Sequence, residues 1–202
     1  MKIFCVGRNY AEHAKELGNA IPEAPVIFMK PDTALLAPGA KFAYPSFTSD
    51  LHYEIELVLR IGKTAKNIPA ANALSCVDAI TVGIDFTARD VQADLKSKGL
   101  PWEKAKAWDN SAIVGEWKPF NGEAGSEILF SLTRNGQTAQ SGTTQDMIYS
   151  FETLLEHISG YFTLSPGDLV YTGTPAGVGP CLPGDTLAGF LGDEKLFELA
   201  IH

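Results

Sequence analysis

No stretch of this 202-residue chain approaches the roughly 20 consecutive apolar residues that a membrane-spanning helix needs, although 45% of its residues are hydrophobic. A soluble protein without a membrane partner is expected. Cysteine is scarce: Cys5, Cys76 and Cys181 are odd in number, far apart and without a Cys-x-x-Cys pair. That argues against a disulfide framework and a thiolate metal site, and it fits a reducing cytoplasm. Basic clusters are missing as well. With 24 acidic residues against 16 basic ones the net charge is −8, which makes nucleic acid and anionic surfaces poor partners. The opening Met1 to Arg8 holds too short an apolar run for a secretory signal, so a cytoplasmic location is expected. There is no linker, low-complexity tract or shift of composition. Residues 1–202 therefore read as a single domain, long enough to bury roughly 70% of its extended-chain surface.

What is present centres on Leu51 to Val58, Leu-His-Tyr-Glu-Ile-Glu-Leu-Val, which alternates apolar and polar at period two and reads as a β-strand. Leu51, Tyr53, Ile55 and Leu57 then form one side, and His52, Glu54 and Glu56 the other. Two carboxylates with Cβ atoms roughly 7 Å apart repel each other and resist desolvation, so a nearby cation is the usual reason to keep them together. Oxygen ligands favour Mg²⁺, Mn²⁺ or Ca²⁺ over zinc. An amphipathic strand with a solvated acidic face accounts for the octapeptide equally well.

Around it the chain reads as short strands with a few helices, a β-rich α+β pattern. Ile3 to Gly7 is a strand, followed by a helix through about Leu17 with Asn9 as cap, Glu12 completing a capping box and Gly18 as the stop. His13 and Glu16, three apart, share a face of that helix. Val26 to Met29 reads as a strand and Pro69 to about Val77 as weakly helical. Ala79 to Asp85 reads as a buried strand ending on an acid, and a helix capped by Thr87 runs to about Lys98, where Gly99-Leu100-Pro101 stops it. Asn135-Gly136 marks a hairpin over Ile128 to Gln140. A longer helix covers Met147 to Ile158, and Ser165-Pro166-Gly167-Asp168 and Leu182-Pro183-Gly184-Asp185 are two similar turns.

As an ordered set, six blocks resemble the fumarylacetoacetate hydrolase superfamily, and most of all its small single-domain acylpyruvate hydrolase (acylpyruvase) branch. They are Gly7-Arg8-Asn9-Tyr10 with His13 and Glu16, Phe28-Met29-Lys30-Pro31, His52-Tyr53-Glu54-Ile55-Glu56, Asp85 to Gln92, Trp102-Glu103-Lys104-Ala105-Lys106, and Thr172 to Pro180. The resemblance implies an α+β, mainly β fold, a mixed β-sandwich or roll with a few short helices, in a homodimer. It implies Glu54, Glu56 and Asp85 as ligands of a Mg²⁺ or Mn²⁺ ion that leave positions open for a chelating 2-oxo acid. Asp85 alone reads as readily as a turn or cap acid.

His13 and Glu16 would form the catalytic dyad, the carboxylate raising the basicity of the imidazole, where otherwise they are a solvated i,i+3 pair. Residues from about 8 to 20 would be a lid. Lys106, with Lys104 as its local competitor, would stabilise an enolate. Arg8, Tyr10, Arg89 and Gln92 would contact substrate, although Arg89 could equally pair with Asp85 or Asp90. Thr172 to Pro180 lacks the Gly-Lys-Ser/Thr of a nucleotide loop, and there Gly173 N–H and the Thr174 hydroxyl would hold a carboxylate. His52 stays outside the ligand set, either behind it or as an ordinary strand histidine. Two departures, Ala107-Trp108-Asp109-Asn110-Ser111 after the lysine and Tyr53 beside the acids, bear on specificity.

The implied activity is metal-dependent hydrolysis of the C3–C4 bond of short 2,4-dioxo acids, acylpyruvates such as acetylpyruvate or fumarylpyruvate, to pyruvate and a carboxylic acid. The same site reads as an oxaloacetate decarboxylase, an oxaloacetate keto–enol tautomerase or an isomerase of an unsaturated 2-oxo diacid. A non-catalytic metal- or acid-binding module is the rival from another class.

Overall fold

The computed structural model describes residues 1–16, 18, 20–120, 122 and 125–202. Along the chain the strands and helices are β1 (Ile3–Gly7), α1 (Ala11–Glu16), β2 (Val26–Lys30), β3 (Leu51–Tyr53), β4 (Ile55–Ile61), α2 (Ala70–Ala73), β5 (Val77–Asp85), β6 (Thr87–Ala88), α3 (Arg89–Ser97), α4 (Glu103–Lys106), β7 (Ala112–Val114), β8 (Lys118–Pro119), β9 (Leu129–Arg134), β10 (Gln137–Thr143), α5 (Phe151–Tyr161), β11 (Leu169–Tyr171), β12 (Gly179–Pro180), β13 (Thr186–Leu191) and β14 (Glu194–Ala200). The architecture is a mixed β-sandwich or roll with short helices at its rims. No helix among the described residues is long and apolar enough to cross a membrane.

The largest sheet runs β2-β1-β11-β4-β5-β7, with β8 also on β5; a second runs β10-β9-β13-β14 and a third β12-β3-β6. Among the strands of the described residues, β1 and β11 pair in parallel and the other strand pairs are antiparallel. In the centre β4 and β5 are apolar on both faces. Ile55, Leu57, Leu59, Ile80, Val82 and Ile84 pack with Phe130, Leu132 and Leu187 of the second sheet, while Val58 packs with Ile3, Cys5 and Tyr171 on the other face. A strand covered on both sides loses simple alternation, which is why Leu51 to Val58 is a poor guide to exposure.

That octapeptide is not one strand. It breaks at Glu54: β3 belongs to the small sheet and β4 to the large one. Glu54 and Glu56 are both buried, so the solvated acidic face is ruled out. The capping box at Asn9 is not formed either. Asn9 Nδ2 donates to Thr172 O at 2.8 Å and Tyr149 O at 3.0 Å, and its Oδ1 accepts from Tyr149 N, so the side chain ties β1 to two loops instead of to α1. Leu17 lies outside the described residues. Thr87 is in β6, opposite His52, and α3 starts after Ala88 with no side-chain cap. Met147 to Ser150 precede α5, which Ser150 caps through Thr153 N.

Other expectations hold. Asn135 and Gly136 both have positive φ, 53° and 79°, at the β9–β10 turn, as a type I′ hairpin requires. Helix α3 stops at Gly99, whose N–H reaches Lys96 O while Leu100 N reaches Leu95 O.

Candidate active site

The β4–β5 register builds the centre of the site. Ile55 faces Ile84 and Glu56 faces Gly83, so Glu54 stands opposite Asp85, and Asp85 N donates to Glu54 O at 2.9 Å. Opposed residues of an antiparallel pair share a face, and so do residues two apart. Glu54, Glu56 and Asp85 are thereby aimed at one point, with a carboxylate oxygen of each within 4.8 Å of the others, and all three are buried.

Three cations neutralise part of this charge. Lys106, 4% exposed at the end of α4, places Nζ 2.7 Å from Glu54 Oε2 and 2.7 Å from Asp85 Oδ2. Lys30, 1% exposed at the end of β2, meets Asp85 Oδ1 at 2.8 Å and donates to Ser111 O, Ser111 Oγ and Lys106 O. Arg89, at the start of α3, donates to Glu54 Oε1 and to Gln92 Oε1. Burial pushes the Glu54 carboxyl up, but Lys106 and Arg89 outweigh it and hold the group well below the usual carboxylate range. Burial also works against the Lys106 ammonium, and Asp85 and Glu54 overcome it, so its pKa is raised.

Glu56 is the exception. Burial, then the Asp85 and Glu54 charges, push its carboxyl well above the usual range, against Gly173 N, which donates to Oε2 at 2.6 Å, and the more distant charge of Lys106. No cation pairs with Glu56 among the described residues. The donor set is all carboxylate oxygen and short of positive charge at one corner, so it fits a hard divalent cation such as Mg²⁺ or Mn²⁺.

Above this cradle stands α1. His13 is buried, with Nδ1 3.3 Å from Glu16 Oε2, and the Glu16 carboxylate also accepts from Gly177 N at 3.2 Å and 3.3 Å. The glycine-rich loop thus holds the acid that orients the histidine. The cleft between α1 and the cradle is a cavity of about 40 Å³, lined by His13, Arg8, Lys96, Phe28, Trp102 and Thr174 among others.

The structure brings His13, Glu54, Glu56, Asp85, Lys106, Arg8, Arg89, Gln92 and Thr174 to this one cleft. Tyr10 lies beside the cleft and not in its lining: its ring is 2% exposed and packs edge-on to Phe130 at 6.2 Å, and after burial the Glu56 charge is the next cause that raises its hydroxyl pKa. Gly173 is corrected, because its N–H is spent on Glu56. Thr174 keeps a hydroxyl proton to offer, since its Oγ1 accepts from Gln140 Nε2 at 2.8 Å. Lys104 is exposed, leaving Lys106 as the lysine of the site. Arg89 pairs with Glu54, not with Asp85 or Asp90, and His52 pairs with Asp50 at 2.9 Å.

Three residues were not assigned roles from the sequence. Lys30 closes an apolar strand just before Pro31, and a lysine with no exposed face to sit on was the available signal. Gln140 ties Ile55 N to Thr174 Oγ1 and Pro175 O, and nothing local in a hairpin strand announces that. Lys96 shares a face with Arg89 and Gln92 at helical spacing, which was legible.

A β-roll whose central strands hold three buried carboxylates beneath a histidine-bearing helix is the scaffold of a metal-dependent enzyme. The chain belongs to the fumarylacetoacetate hydrolase family: the model of the fumarylacetoacetate (FAA) hydrolase C-terminal region matches residues 2–201. It is 45% identical over 189 residues to the oxaloacetate tautomerase YcgM of Escherichia coli (strain K12), covering 92% of this chain and 86% of that one. It is 40% identical over 188 residues to the mitochondrial oxaloacetate decarboxylase of Dictyostelium discoideum, covering 92% and 86%. The solved structure of a fumarylpyruvate hydrolase from Pseudomonas aeruginosa in complex with Mn²⁺ and pyruvate superposes with a TM-score of 0.92 at 39% identity, covering 100% of this chain and 89% of that one.

Proposed function

We propose that this protein interconverts the keto and enol forms of oxaloacetate. The observation that carries the reading is the convergence of His13–Glu16, Lys106 and the three-carboxylate cradle on one small cleft. The relatives named for oxaloacetate chemistry favour the alternative drawn from the sequence over acylpyruvate hydrolysis.

Glu54, Glu56 and Asp85 would hold the divalent cation, which when bound draws electron density from a 2-oxo group and acidifies the neighbouring C3–H. His13, oriented by Glu16, takes the C3 proton as general base. The C–H electron pair becomes the C2–C3 double bond, and the negative charge that moves to the C2 oxygen faces the fixed positive charge of Lys106. Return of the proton held by His13 to that oxygen, directly or through water, completes the enol, so atoms and electrons balance with no co-reactant. Thr174 offers a hydroxyl donor and Arg89 a guanidinium at the rim.

A second reading is hydrolysis of acylpyruvates, favoured by the likeness to a hydrolase solved with pyruvate in place. In it His13 deprotonates water rather than carbon, and the leaving fragment is the same pyruvate enolate.

The test follows enol absorbance of oxaloacetate while pyruvate release is measured from oxaloacetate and acetylpyruvate, with Mg²⁺ or Mn²⁺ and with excess chelator. Metal-dependent enol decay in excess of pyruvate release, lost in Glu54→Ala and His13→Ala, is expected. Pyruvate released from acetylpyruvate faster than oxaloacetate tautomerises would select the hydrolase, and no turnover of either acid would reject both.

A further inference from the structure

The cleft wall contributed by α3 carries Arg89, Gln92 and Lys96 at positions i, i+3 and i+7, one stripe of the helix. The first two are committed: Arg89 is held by Glu54 Oε1 and by Gln92 Oε1 at 2.8 Å. Lys96 is not. Lys98 pairs with Asp94 at 2.6 Å, whereas Lys96 lines the cleft and lays its ammonium 5.3 Å from the centre of the Trp102 ring. No carboxylate pairs with it among the described residues.

The charges that face Lys96 are mostly of its own sign. Arg8 comes from the β1–α1 connection, where it adopts φ 64°, a conformation uncommon outside glycine. Arg89 comes from the same helix and Lys106 from α4, with Glu54 the nearest acid; burial and then these three cations depress the Lys96 ammonium. A long cation held over an indole, beside other cations and without an anion, is an arrangement completed by a negatively charged ligand. The cradle accounts for one end of a 2-oxo acid, its carboxylate and oxo group. Lys96 lines the same cleft as the cradle, with Phe28 and Trp102 as the apolar flank on which a methylene would rest.

We infer that Lys96 anchors the substrate carboxylate remote from the cradle and thereby sets a preference for short dicarboxylic acids over monocarboxylic ones. This rests on the reading of the cleft as a 2-oxo acid site, and it deepens that reading by assigning a specificity residue. A charge-assisted hydrogen bond in a partly dry site corresponds to a discrimination of about tenfold or more.

L-malate and L-lactate isolate the effect, because both present a 2-hydroxy acid to the cradle and only malate has the remote carboxylate. Calorimetric titration of each into the Mn²⁺-loaded protein is expected to give malate an advantage of about tenfold or more. In Lys96→Met the advantage falls to near unity while lactate affinity stays within about twofold, and Lys96→Arg retains it. Lys96 is an exposed residue of α3, and an unchanged thermal midpoint of Lys96→Met shows that the fold is intact. No malate preference in the wild type, a preference that survives Lys96→Met, equal weakening of both ligands, or binding of neither would overturn the inference. A malate preference in a protein that turns over neither oxaloacetate nor acetylpyruvate would sink the proposed activity and leave this assignment standing.

Discussion

Lys30 Nζ meets Asp85 Oδ1 at 2.8 Å with both side chains almost wholly removed from solvent. The lysine also satisfies Ser111 O and Oγ and reaches Lys106 O, so one ammonium fixes the acid of the cradle and the end of α4 that carries the second lysine. Removing one member of a buried pair leaves an uncompensated charge, which typically costs 3–5 kcal/mol. Lys30→Met is therefore expected to lose about 3 kcal/mol or more of stability, seen as a lower urea midpoint at unchanged slope. Lys30→Arg is expected to fail as a rescue, because a planar fork cannot take the same three-way geometry in this space. A midpoint equal to wild type in Lys30→Met would show that Lys106 alone neutralises Asp85.

Gly173 combines two constraints. Its φ of 101° lies where side chains are strained, and a Cβ there would stand 2.6 Å from Asn9 Cβ, while its N–H holds Glu56. Gly173→Ala is expected to cost about 1–3 kcal/mol in the metal-free protein and to weaken Mn²⁺ binding as Glu56 loses its donor. Denaturant titration and Mn²⁺ titration read the two effects separately. Retained Mn²⁺ affinity in a destabilised variant would mean that the hydrogen bond to Glu56 is dispensable.

How much of this was legible in the sequence differs by element. Turn chemistry and helix stops carry their information locally, so Asn135-Gly136 and Gly99 read true. The metal acids were legible only as a set. Alternation put Glu54 and Glu56 on one face, but that Asp85 stands opposite Glu54 depends on a register with a strand distant in sequence, which the resemblance supplied and local pattern did not. Asn9 shows the opposite failure: a strong local cap signal was overridden because three backbone groups of Tyr149 and Thr172, distant in sequence, compete for the same amide. The break of Leu51–Val58 at Glu54 had no local marker, since no glycine or proline punctuates it.

The two Pro-Gly-Asp turns are built alike. Asp168 Oδ2 accepts from Ser165 N and Asp185 Oδ2 from Leu182 N, each at 2.8 Å. Asp168 also takes Lys2 N at 2.8 Å and Lys2 Nζ at 2.7 Å, while Asp185 takes Arg134 Nε at 2.8 Å and Asn135 Nδ2 at 2.7 Å and so pins the β9–β10 turn to the start of β13. Burial opposes its ionisation, but the bonds from Asn135, Leu182 and Arg134 prevail and depress its pKa. A depressed carboxyl contributes stability that is fully present above its unfolded pKa of about 3.9 and disappears as pH falls through the lower folded value. Asp185→Ala is expected to be about 1–2 kcal/mol less stable than wild type at pH 7, with the gap narrowing below about pH 4. A gap that does not change between pH 7 and pH 3 would assign the loss to packing instead of charge.

Glu56 and Lys106 should respond oppositely to substitution. Lys106 bridges Glu54 and Asp85, so Lys106→Met exposes two buried carboxylates to each other and destabilises the metal-free protein by about 3 kcal/mol or more. Glu56 faces the same two acids with no cation of its own, so Glu56→Gln removes a repulsion and keeps an acceptor for Gly173 N. The metal-free variant is expected to be as stable as wild type or more so. Divalent cation reverses the order. Mn²⁺ at about one hundred times its dissociation constant adds about 2.7 kcal/mol to a protein that binds it only when folded, which raises the melting temperature of a chain this size by about 5–10 °C. Glu56→Gln should lose most of that shift while starting from a metal-free midpoint no lower than that of wild type. If instead Glu56→Gln is less stable without metal, Glu56 is a structural acid satisfied by its surroundings, and the case for a cation at this corner of the cradle fails with it.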